Sequence, residues 1–132
     1  MKSVGFIALS LLGLTLFSCV KTEGVGGGGH VQGKVIVKDY NALGSLLSTD
    51  NAQDQDVYII YGDDEFQAFD DRTRTSYDGS FEFKYLKKGT YKIFTYSKCV
   101  TCSATADSAV FATITVNEKN EVVEIGEMIV RD

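Results

Sequence analysis

The chain has no proline, no tryptophan, one histidine and three cysteines, and its 13 basic residues are outnumbered by 18 acidic ones. With no proline and 44% hydrophobic residues, its composition is that of an ordinary globular chain and excludes a fibrous or disordered one. The lone His30 lies among glycines without a paired nucleophile, so a Ser/His/Asp or Cys/His machine lacks its base. The formal net charge of −5 repels phosphate backbones, and no basic stretch interleaved with aromatics offsets it. Nucleic acid is thereby excluded as a partner. A length of 132 residues sets one domain as the ceiling and leaves little room for an elaborate enzyme cleft.

The one long apolar run is at the amino terminus. Met1-Lys2-Ser3 is followed by apolar residues from Val4 to Phe17, a span of about 14 that suits an export signal and is short for a membrane crossing. It ends in Leu16-Phe17-Ser18-Cys19, which resembles the bacterial lipobox, although Phe17 is bulkier than most residues at its place. The resemblance implies a signal peptide over 1–18, acylation of Cys19 and attachment to the membrane through the lipid anchor. Two or three acyl chains make release negligible, at about 0.8 kcal/mol per buried methylene. By similarity to Gram-negative lipoproteins, the absence of Asp after Cys19 favours the outer membrane. Residues 19–30 then read as the lipidated cysteine and a glycine-rich flexible tether reaching about 17 Å, with the folded domain over 31–132.

Assigning Cys19 to lipid leaves Cys99 and Cys102, a pair that an oxidising compartment can close. Their spacing is also that of a thioredoxin-type motif and of half a zinc site. A redox motif wants its first cysteine at a helix amino terminus, and no helical pattern follows Cys102. Structural zinc wants four ligands, and His30 lies at the far end of the domain. A small loop disulfide is therefore expected, with free thiols and redox or metal chemistry as the alternatives.

From Val31 the periodicity is two. Strands are expected over Val31–Lys38, Asp56–Tyr61, Phe66–Thr75, Ser80–Tyr85, Thr90–Ser97, Val110–Val116 and Val122–Val130. Asp78-Gly79, Lys87-Lys88-Gly89 and Asn117–Asn120 supply turns between them. The 41–55 segment is expected to be a long loop with a short Leu43–Leu47 patch. Phe81, Phe83 and Tyr85 share one face of their strand, against Ser80, Glu82 and Lys84.

The stretch Thr75-Ser76-Tyr77-Asp78-Gly79-Ser80-Phe81-Glu82-Phe83, followed by Leu86-Lys87-Lys88-Gly89-Thr90-Tyr91-Lys92-Ile93, resembles the signature of carboxypeptidase regulatory-like domains. Those domains are transthyretin-like (prealbumin-like) Greek-key β-sandwiches related to Cna B-type modules. The resemblance implies an all-β, seven-stranded sandwich in which Phe81, Phe83, Leu86, Tyr91 and Ile93 fill the core. It also implies a non-catalytic accessory role, since fold does not specify function. The intramolecular isopeptide of Cna B-type modules would have Lys34, Glu82 and Asp132 as its nearest candidates. Glu82 lies on the polar face of its strand, which argues against it.

Alternation leaves a second apolar face. If Val57, Ile59 and Tyr61 point inward with Tyr91 and Ile93, then Tyr58, Ile60, Phe94 and Tyr96 point outward. These four are either an open binding face for a protein or glycan, or the floor under a lid carrying Leu43, Leu46 and Leu47. The carboxylates of Asp63, Asp64, Glu65, Asp70 and Asp71 lack the spacing of a calcium loop and are expected to be solvated. No metal, no cofactor and no catalytic residue is expected. The function that follows is a non-enzymatic, lipid-anchored binding or assembly module of the cell envelope. The alternatives are a structural subunit of a surface or secretion assembly, adding strands edge to edge, and a small redox factor using Cys99 and Cys102.

Overall fold

Period-two patterning over nearly the whole domain produces strands and no helix among the residues described by the computed structural model, which are 22–99 and 106–132. Cys19, Cys102 and the export signal lie outside them. Eight strands form: β1 (Val25–Tyr40), β2 (Leu46–Asn51), β3 (Asp56–Tyr61), β4 (Asp71–Arg74), β5 (Ser80–Leu86), β6 (Gly89–Lys98), β7 (Asp107–Val116) and β8 (Val122–Arg131). One four-stranded sheet is built on β1. Antiparallel β5 pairs with its first half and antiparallel β2 with its second, while β8 runs parallel to it along the other edge. The other sheet has the order β4-β3-β6-β7, antiparallel throughout.

The two sheets enclose one core. Val31 and Val35 of β1, Phe81 and Phe83 of β5 and Met128 and Val130 of β8 meet Val57 and Ile59 of β3 and Tyr91 and Ile93 of β6. Phe81, Phe83, Leu86, Tyr91 and Ile93 are buried as expected, whereas Tyr85 is exposed and adopts a positive φ of 60°. That kink breaks the alternation of β5, so Leu86 turns inward in its place.

Three boundaries differ from expectation. The glycine-rich segment is no free tether from residue 25 onward, because Val25–His30 is the first part of β1 and pairs with β5. Side-chain bulk is what the glycines remove here. A Cβ on Gly27 would overlap the Leu86 carbonyl, and one on Gly28 would overlap the Asn120 side chain. The Tyr91 hydroxyl holds the start of the strand. It accepts the Gly24 N–H at 3.0 Å and lies 2.7 Å from the Lys87 carbonyl oxygen, and burial pushes its pKa up.

The second difference is the eighth strand, in the segment expected to be a loop. Asn41 closes a tight turn, its Oδ1 accepting the N–H groups of Leu43 and Ser45, and this returns the chain as β2 against β1. The third is the expected strand Phe66–Thr75, of which only Asp71–Arg74 pairs. Asp64 and Asp70 draw the preceding residues into a loop by accepting the N–H groups of Phe66 and Tyr61.

The strand phase of β5 is testable by thermal or denaturant unfolding. Phe83→Ala should cost about 3 to 5 kcal/mol, because its ring is buried in the core. Glu82→Ala, which removes only an exposed pair with Lys84, should cost less than about 1 kcal/mol. Similar losses would overturn the phase.

Candidate functional site

The β4-β3-β6-β7 sheet turns one face to the core and the other to solvent, and pairing brings the aromatic residues of the outer face into one row. Tyr58 of β3 is opposite Arg72 of β4 and Phe94 of β6, and Phe94 is opposite Phe111 of β7. The row therefore crosses all four strands as Arg72, Tyr58, Phe94, Phe111. Tyr58 and Phe94 stack at 5.0 Å with 17° between planes, and Phe94 and Phe111 are tilted at 5.3 Å. Tyr96 sits edge-on to both Tyr58 and Phe94, at 5.6 Å from each. Such pairs contribute about 0.5 to 1.5 kcal/mol each beyond area burial.

Tyr58, Ile60, Phe94 and Tyr96 thus share the outer face of this sheet, but not as four exposed side chains. Ile60 is 1% and Phe94 7% exposed, while Tyr96 is 46% exposed. The lid carrying Leu43, Leu46 and Leu47 does not form. Those residues border the other sheet and are exposed themselves, because β2 is held in plane by its ladder with β1. Cover comes instead from the chain between β3 and β4. The Asp70 N–H donates to the Ile59 carbonyl at 2.9 Å, and Phe69 lies 4.8 Å from Tyr58. Burial, followed by the Asp71 and Asp70 carboxylates, raises the pKa of Tyr61 at the root of this loop.

The rim contains residues that sequence reasoning missed. Phe111 is 41% and Phe69 48% exposed. The Lys92 ammonium lies 5.4 Å from the centroid of the Phe111 ring and 3.0 Å from a Glu65 carboxylate oxygen. Phe111 was within reach of the alternation rule, since it is out of phase with the inward Val110, Ala112 and Ile114. Phe69 was not, because it belongs to irregular chain.

A partly buried polar chain holds the backbone at Tyr96. The Thr75 hydroxyl accepts the Gln55 N–H, and the Gln55 Nε2 group donates to the Thr95 hydroxyl at 3.0 Å and to the Tyr96 carbonyl at 3.1 Å. The Thr95 hydroxyl donates to the Asp56 carbonyl at 2.8 Å. No buried side-chain nitrogen or oxygen among the described residues lacks a partner.

The remaining candidates are not brought together. Lys34 and Glu82 are diagonal neighbours on β1 and β5, but Glu82 pairs with Lys84, and Asp132 lies beside Lys38 and pairs with Lys98, so the three isopeptide candidates do not meet. Among the described residues no group of three or more acidic, histidine or cysteine side chains could hold a metal. Cys99 is disulfide-bonded; Cys102, its expected partner, lies outside the described residues.

No family model and no curated protein matches the chain. Among solved structures it is similar to a proposed carbohydrate-binding protein of Pseudomonas aeruginosa, at 15% identity and a TM-score of 0.48 over 85% of this chain and 93% of that one.

Burial divides the row into a structural centre and an accessible rim. Phe94→Ala should lower stability by about 3 to 5 kcal/mol, because it removes the ring that three others pack against. Tyr96→Ala should cost less than half as much in the same unfolding measurement. Equal losses would show that Tyr96 belongs to the core.

Proposed function

We propose that the protein is a non-enzymatic binding module of the cell envelope, anchored by lipid at Cys19 in the outer membrane, whose aromatic outer face engages a protein or glycan. The observation that carries this reading is the row Tyr58, Phe94, Phe111 with Tyr96 and Phe69 at its rim. Contiguous apolar surface of this kind marks an interaction site, and aromatic anchors contribute much of the energy at such sites. A domain of the carboxypeptidase regulatory-like, Greek-key kind is supported by the Asp78-Gly79 turn. There Asp78 accepts the Ser80 N–H and hydroxyl, which holds its pKa below the usual carboxylate range, and Gly79 has a φ of 79°. The lipid anchor is supported by the lipobox-like Leu16–Cys19.

Two experiments test this. Mass spectrometry of the membrane fraction should show an acylated amino-terminal peptide beginning at Cys19, and Cys19→Ala should release soluble protein; undiminished membrane retention overturns the anchor. In the released protein, Tyr96→Ala and Phe111→Ala should each weaken binding to immobilised envelope glycans or proteins about tenfold, or 1.4 kcal/mol, at a temperature where both variants remain folded. Full binding by both variants overturns the face.

A further inference from the structure

Sheet edges expose unpaired N–H and C=O groups, and stable proteins blunt them with charge, glycine, bulges or brevity. Most edges here are blunted. β4 is four residues long with charged residues at Asp71, Arg72 and Arg74, and β5 carries the Glu82–Lys84 pair. The register of β8 slips where Ile125 and Gly126 stand against Gly33 alone, and Gly126 has a φ of 74°.

β7 has none of these devices. Its ten residues pair with β6 without a register shift, from Lys98 opposite Asp107 to Gly89 opposite Val116. From Ser108 to Val116 it contains no charge, glycine or proline. Its other edge makes no backbone hydrogen bond among the described residues. The core beside it is also incompletely sealed. Val110, Ala112 and Ile114 of β7 and Val123 and Ile125 of β8 pack against the core but remain partly exposed.

We propose that β7 accepts an added strand, an extended segment of a partner protein that pairs with its free edge and lays apolar side chains into the seam between β7 and β8. The inference deepens the binding-module reading and rests on it. Main-chain bonds of this kind supply affinity, and alternate side chains supply specificity. The chemistry fixes the occupant as an uncharged segment of alternating apolar and small polar residues, because a charge directed into the seam would be buried unpaired. A second copy fits poorly. Two β7 strands paired about a two-fold axis run in opposite directions, and the Val116 end of each is the end that packs against Gly29, near the start of β1. Two copies paired in this way would point their anchored ends in opposite directions, which attachment to one bilayer through Cys19 disfavours.

The test uses the full-length Cys19→Ala protein and a synthetic uncharged peptide of about ten residues that alternates valine with serine, as the proposal requires. Amide hydrogen exchange should slow in β7 on adding peptide and stay unchanged in β4. Ala112→Lys, which directs a charge into the seam, should weaken peptide binding at least about tenfold. Thr113→Lys, on the solvent side of the same edge, provides a second variant if the first fails to fold. Unchanged β7 exchange at saturating peptide, or undiminished peptide binding by whichever of the two variants folds, overturns the proposal. Tyr96→Ala should leave the peptide response intact, so loss of the aromatic-face reading is seen separately, and the Cys19 mass spectrum reports the anchor independently.

Discussion

One strand carries its whole sheet. β2, β5 and β8 each hydrogen-bond to β1 and not to one another, so the position of every inner side chain on that layer is referred to a single sixteen-residue backbone. Near its start, over Gly26–Gly29, β1 has no side chains at all. Glycines let the Leu86 carbonyl and the Asn120 side chain approach a backbone that any other residue would hold away. Glycine loses more conformational entropy on folding than other residues, and the Tyr91 hydroxyl offsets part of that by fixing Gly24 through buried hydrogen bonds.

The outer aromatic row depends on the same discipline at one remove. Tyr58 and Phe94 face outward because Val57, Ile59, Ile93 and Tyr91 face the core, and register then aligns the outward rings across strands. The polar chain through Gln55, Thr75 and Thr95 holds the end of β6 from which Tyr96 projects. Even a partly buried network specifies geometry more sharply than apolar contact alone, because a shift that breaks a bond on its inner side, at Thr75 or Thr95, strands a polar group.

Much of this arrangement was legible in the sequence. Alternation identified the β class, the core residues of β3, β5 and β6, and the outward placement of Tyr58, Ile60, Phe94 and Tyr96. It failed where local chemistry outweighed pattern. A run of glycines reads as coil because its strand partner, Leu86, is far away in sequence. Asn41 made a hairpin out of an apparent loop, and Asp64 and Asp70 made a loop out of an apparent strand, each by capping nearby backbone N–H groups. Burial of Phe94 was hidden for a further reason: Tyr58 and Phe111 of the neighbouring strands pack against its ring, and alternation within one strand says nothing about its neighbours.

The parallel pairing of β8 with β1 bears on how the chain reaches this state. His30 pairs with Val122 and Lys38 with Arg131, so the longest ladder of the first sheet joins segments that nearly the whole domain separates. Closing so large a loop is entropically costly before any contact offsets it, and contacts of this range slow folding. One edge of β1 therefore stays exposed until β8 arrives. The first sheet is complete only after its most distant segments have met.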